Sequence, residues 1–174
     1  HHRLVGNERR SVMKRILAAL VVVAMFVLPS TATADVRNHR AAHVTFWVPD
    51  SWSATGDEAT QLQIADPKGE VSLLFLLQDH HDMKAAANAI DGLINKIASD
   101  VKASAPKQVS VNGMDGTVVD ATGRAMGKRV ELSVLVLKTP GDRYLMIFGV
   151  LESDHKHAHQ AELEKIIGSL KPVR

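Results

Sequence analysis

The sequence predicts an α+β fold, an antiparallel sheet of about six or seven strands flanked by helices on both sides as an α/β/α sandwich. Three observations lead there. From Tyr144 to Leu151 both alternating sets are apolar, Leu145, Ile147 and Leu151 on one face and Met146, Phe148 and Val150 on the other, so this strand needs cover on both faces. Two other stretches repeat their apolar residues at helical spacing, one near the middle of the chain and one near its end. The remaining apolar runs are short, alternating and separated by turn residues, in the order three strands, a helix, four strands, a helix.

Asp35 to Ala41 is polar and reads as loose chain. His43 to Val48 alternates into a short strand ended by Pro49. Thr60 to Ala65 and Glu70 to Gln78 form a hairpin around Asp66, Pro67, Lys68 and Gly69, a turn with proline second and glycine fourth. Asp82 is placed to cap a helix from about Met83 to Ser104, with Ala86, Ile90, Leu93, Ile94, Ile97 and Val101 in one stripe ahead of Pro106. Lys107 to Val111 and Thr117 to Thr122 follow as strands across Asn112, Gly113, Asp115 and Gly116. Gly127 turns the chain into a central hairpin. Its first strand sets Val130, Leu132, Val134 and Val136 against Arg129, Glu131 and Ser133, and its turn is Thr139 to Asp142. A last helix from about His155 to Leu170 carries Leu163, Ile166, Ile167 and Leu170, with Ser153 and Asp154 as caps.

The 174 residues divide into three expected parts. Residues 1–12 precede Met13 and read as upstream or non-native sequence. Residues 13–34 have the order of a secretory signal: Lys14 and Arg15, the apolar run Ile16 to Leu28, the breaker Pro29, and Ala32 and Ala34 as the small residues of a cleavage site. The apolar run is shorter than the ~20 residues of a membrane-spanning helix. Residues 35–174 are then one domain of ordinary size, exported to the periplasm or beyond and without a stable membrane anchor. The leading segment holds five of the 21 Lys+Arg and one of the 19 Asp+Glu, so the remainder carries 16 against 18. A charge near −2 with no cationic stripe argues against nucleic acid as a partner. The absence of cysteine removes disulfides, thiolate metal ligands and a lipidated cysteine from consideration.

The stretch Val44 to Trp52 (VTFWVPDSW), the turn Val111 to Gly116 (VNGMDG) before a strand meander, the Tyr144 strand and the closing Ile166 to Lys171 (IIGSLK) resemble the PsbP, Mog1 and DcrB group of small domains. The resemblance spans nearly all of residues 35–174. It implies an α/β/α sandwich. It also implies a binding role, since members serve as an extrinsic photosystem subunit, a GTPase-binding protein, envelope lipoproteins and secretion chaperones. Fold alone does not choose among these. Without the lipidated cysteine of the lipoprotein members, membrane attachment does not carry over.

Histidine is the sharpest chemical signal. Five of the nine fall in two clusters, Asp79-His80-His81-Asp82 and Asp154 to His159, each after a strand and before a helix. His155 and His159 stand at i and i+4, on one helical face at a spacing that shares a metal ion. With His157, and with Asp154 or His80 and His81 as further ligands, they would form a nitrogen and oxygen site for zinc, copper, nickel or manganese. The competing reading is of solvated polar caps at helix starts. Other signals are weaker. Gly127-Lys128 lacks the rest of a phosphate-binding loop, and no serine sits in a nucleophile elbow. Asp57 with Glu58, and Glu162 with Glu164, read as surface charge; Trp47 and Trp52 read as core or lid rather than a ligand groove; Met114, Met126 and Met146 are too scattered for copper. The sequence thus predicts an exported, non-enzymatic module that binds a protein partner, with metal binding through the histidines as the alternative.

Overall fold

The computed structural model describes residues 35–39, 42–57, 61–78 and 83–173. The expected signal peptide and the segment before it, His80, His81 and the Asp82 cap lie outside the described residues. In chain order the elements are β1 (Asp35–His39), β2 (Val44–Val48), β3 (Ser53–Asp57), β4 (Gln61–Ala65), β5 (Val71–Gln78), α1 (Met83–Ile97), β6 (Ser99–Ala103), β7 (Lys107–Val111), β8 (Met114–Ala125), β9 (Lys128–Thr139), β10 (Arg143–Glu152), a 3₁₀ turn (Ser153–His155), α2 (Lys156–Gly168) and β11 (Lys171–Pro172).

Among the described residues every strand pairing is antiparallel. Among them the main sheet has eight strands, in the order β3-β4-β5-β10-β9-β8-β6 with β7 also on β8. β10 lies between β5 and β9, which explains its two apolar faces. Leu145, Ile147 and Leu151 pack on one side with Ile166 and Leu170 from the end of the chain. Met146 and Phe148 pack on the other with Ile94 and Ile97 of α1. The two helices therefore cover opposite faces, and the α+β sandwich stands. Odd and even residues of β9 divide the same way, Leu135 and Leu137 against Val130, Leu132, Val134 and Val136. Each such side chain taken fully out of water stabilises the fold by about 1.5–3 kcal/mol before chain entropy is counted.

Several expectations are corrected. The strand at Val44 does not join the main sheet. With β1 and β11 it forms a separate three-stranded sheet, and Phe46 stacks on Phe75 of β5 with ring centroids 4.4 Å apart. β1, expected to be loose, is held by backbone pairing to β2, which needs no apolar side chain. The helix expected to reach Ser104 ends at Ile97, and Ser99–Ala103 is a strand on β8. Ala98 N–H gives the last bond back to Ile94. Asp100 has a positive φ of 52°, which no α-helix contains. Val101 still joins the cluster beneath α1, but from a strand. The turn before β8 is only Asn112 and Gly113, at φ 48° and 86°, a two-residue hairpin of the type that suits twisted strands; Asp115 and Gly116 belong to β8. The last helix is not capped by Ser153 or Asp154: these form the 3₁₀ turn, and His155 is the N-cap without a side-chain capping bond.

Candidate functional site

Strand register builds a polar cluster at one end of the sheet. β10 pairs with β5 so that Leu151 faces Val71, and the next pair outward is Glu152 and Glu70, joined by a backbone bond of 3.1 Å. The chain then turns through Ser153–His155 directly into α2, carrying His155 and His159 over Glu70. The β4–β5 turn supplies Asp66 from the other side. Asp66 is buried, and its carboxylate accepts from Val71 N–H at 2.7 Å and Lys68 N–H at 3.1 Å, so the turn itself orients it.

His159 occupies the centre and is 8% exposed. Its Nε2 lies 2.7 Å from Glu70 Oε2 and 4.0 Å from Asp66 Oδ2. Its Nδ1 is buried without a hydrogen-bond partner, 3.7 Å from Glu162 Oε1. Glu162 is held in turn by Trp52, whose indole N–H donates to Oε2 at 2.9 Å, and the Trp52 ring meets the imidazole edge-on at 6.4 Å. His155 stands at the rim, Nδ1 3.5 Å from Glu70 Oε1 and Nε2 3.7 Å from Glu152 Oε2, while Lys128 pairs with Glu152 at 2.8 Å. The His159 hydrogen bond holds the Glu70 carboxyl below the usual carboxylate range, and His155 and Lys68 add to this by charge.

Asp66, Glu70 and His159 bring one ligand atom each within 4.8 Å of the others, an oxygen and nitrogen set compatible with a metal ion. Of the residues singled out in the sequence, His155 and His159 do meet, through Glu70. Asp154 and His157 are exposed and outside this group, and His80 and His81 lie outside the described residues. Asp66, Glu70 and Glu162 were missed: Asp66 reads as a turn residue, Glu70 as a strand end and Glu162 as surface charge. The strand register brings in Glu70, the β4–β5 turn Asp66, and the middle of α2, facing Trp52, brings in Glu162. Trp52 is core, as expected, with its polar edge used; Trp47 is half-buried beneath Lys165, whose Nζ stands 3.8 Å from the ring centroid.

Beside this cluster a cleft of about 810 Å³ runs between α2 and the sheet. Leu73, Leu135, Ile147 and Leu151 form its floor, Val109, Val111 and Val118 one wall, and Leu163 and Ile167 of α2 the other. Its rim is polar, with Lys102, Asp120, Glu131, Lys156 and Glu164. Lys156 pairs with Glu131 at 2.8 Å and Ser133 Oγ donates to Asp120 at 2.8 Å. The volume falls in the range of small-molecule and peptide sites, ~300–1,000 Å³.

No family model and no curated protein sequence matches the chain. Solved structures do. The cyanobacterial PsbP (CyanoP) of Synechocystis sp. PCC 6803 superposes with a TM-score of 0.55 at 10% identity, over 85% of this chain and 98% of that one. The Ran-binding protein Mog1p of Saccharomyces cerevisiae gives 0.54 at 12% identity, over 82% and 97%. The fold is PsbP/Mog1-like. LpqN of Mycobacterium tuberculosis, involved in cell envelope biogenesis, shares it with a TM-score of 0.57 at 13% identity, over 83% and 93%. At these identities the likeness is one of fold. Among the described residues no helix of this PsbP/Mog1-like chain is long and apolar enough to cross a membrane.

Proposed function

We propose that this chain is an exported, non-enzymatic protein that binds a protein partner, and that an apolar segment of the partner seats in the cleft between α2 and the sheet. The cleft carries the reading: its apolar floor and walls offer area to bury, and its charged rim offers orientation. A binding role accords with one neighbour in the fold, since Mog1p is a Ran-binding protein. The signal-like order of residues 13–34 supports export.

The test is selection of displayed peptides against the full chain, followed by mapping of amide shifts on adding a selected peptide. Shifts concentrated at Val109, Val118, Leu135, Leu163 and Ile167, with binding lost in Leu163→Arg, are expected. Shifts centred on Ile94 and Ile97, on the opposite face, or an unchanged affinity in Leu163→Arg, would refute the cleft as the site.

A further inference from the structure

The buried Nδ1 of His159 is the least satisfied polar atom of the cluster. A neutral imidazole carries one proton. If Nε2 holds it and donates to Glu70 at 2.7 Å, Nδ1 is a bare acceptor with a carboxylate oxygen, Glu162 Oε1, 3.7 Å away. Nδ1 is then a buried acceptor without a donor, an arrangement that costs free energy. The conflict disappears when the proton sits on Nδ1, facing Glu162, and Nε2 offers its lone pair to a cation beside Glu70. Metal-bound histidines are usually held in this way, with the far ring N–H aimed at a carboxylate.

We propose that His159 Nε2, Glu70 and Asp66, with His155 beside Glu70 at the rim, form a binding site for a divalent transition cation of the zinc class. Donor chemistry selects the class. Imidazole nitrogen beside carboxylate oxygen suits zinc and its neighbours, whereas calcium takes six to eight oxygens, which this small group does not offer. Charge agrees. Against the four carboxylates of Asp66, Glu70, Glu152 and Glu162 stand the ammonium groups of Lys128 and Lys68, so with the imidazoles neutral, as ligands must be, the group carries a net negative charge. Geometry requires movements below about 1 Å for His159, Glu70 and Asp66 on the distances from Nε2. Ligands at ~2.0–2.1 Å and tetrahedral angles stand about 3.3 Å apart, so Glu70 Oε2 must part from Nε2 by about 0.6 Å and Asp66 Oδ2, at 4.0 Å, must close on it by about 0.7 Å. Asp66 is oriented by two backbone N–H groups and retains further lone pairs. Trp52 fixes Glu162 behind the ring. This site is separate from the cleft, and neither reading depends on the other.

The experiment uses the full chain and zinc chloride alone as the probe, with calorimetric titration and imidazole ¹⁵N spectra recorded side by side. His157→Ala, which alters an exposed histidine outside the group, controls for adventitious binding. One zinc bound at micromolar affinity or tighter, a shift centred on His159 Nε2, and a proton on Nδ1 are expected in the parent and in His157→Ala. Glu70→Gln, which keeps a hydrogen-bond acceptor for His159 but removes the anionic ligand, is expected to weaken binding at least tenfold. Glu162→Gln is expected to weaken it by about tenfold, as loss of an outer carboxylate usually does. Absence of saturable heat overturns the proposal. So does zinc binding that leaves the His159 nitrogens unmoved, as binding at His1 and His2 would. Should Glu70→Gln fail to fold, the His159 spectrum of the parent chain decides alone.

Discussion

The stacked pair Phe46 and Phe75 is the sharpest place to test how the small sheet is fastened to the large one. Phe46 is 1% exposed on β2 and Phe75 0% exposed on β5, with an interplanar angle of 11°. Truncating either ring to alanine is expected to cost about 3–5 kcal/mol, a large part of the ~5–15 kcal/mol stability of a typical domain. Leucine is the better perturbation because it keeps an apolar side chain in place, at about 1–2 kcal/mol for each single change. Ring–ring contact beyond burial is worth about 0.5–1.5 kcal/mol, so the double variant Phe46→Leu/Phe75→Leu should lose less than the two singles together by that amount. Urea unfolding of the parent, both singles and the double, with a common slope, measures the coupling. Additivity to within about 0.3 kcal/mol would refute the claim that the stack itself joins the sheets.

Gly116→Ala is expected to destabilise by at least about 2 kcal/mol in the same assay, because the new Cβ meets the Val136 carbonyl oxygen and lies 2.8 Å from Leu137 Cδ2. Asn112 sits at φ 48° and its Nδ2 donates to the Gly168 and Leu170 carbonyls at 2.9 and 2.6 Å, closing the end of α2. Asn112→Ala should cost about 1–2 kcal/mol, and Asn112→Gly less, since glycine restores the backbone but not the bonds; equal losses would exclude the backbone contribution. The Lys156 ammonium is raised above its ordinary value by its hydrogen bond with Glu131 and then by that carboxylate's charge. A raised lysine contributes stability that is complete below the unfolded value of ~10.4 and lost as pH rises through the raised value. The melting difference between the parent and Lys156→Met should therefore be constant to about pH 9 and shrink above pH 10; a difference that shrinks toward neutral pH instead would assign it to another group.

The candidate cluster was half legible. His155 and His159 stand out because their i, i+4 spacing is a property of local sequence, and the structure does bring both to Glu70. Glu70 and Asp66 were illegible because nothing within a few residues of them signals chemistry; a strand pairing over 80 residues away in sequence sets Glu70 beside Glu152. Glu162 does lie half-exposed on the helix surface, but a helical wheel does not reveal that the Trp52 N–H waits beside it. The cleft was likewise invisible, because Val109 and Leu163 become neighbours of one space only after β7 and α2 have docked.

By itself the sequence determined the central hairpin, the β4–β5 hairpin, both helical stripes and the sandwich, because alternation and 3.6-residue periodicity encode which faces are buried. Only the tertiary structure decided the rest. β1 and β3 carry no apolar signal and exist as strands because β2 and β4 present backbone groups that must be paired. Ser99–Ala103 left the helix because Asp100 turned the backbone and the edge of β8 offered it a partner, while Val101 reached the same apolar cluster by the other route. Periodicity records which side chains are buried, and backbone pairing between distant segments decides what they are buried beside.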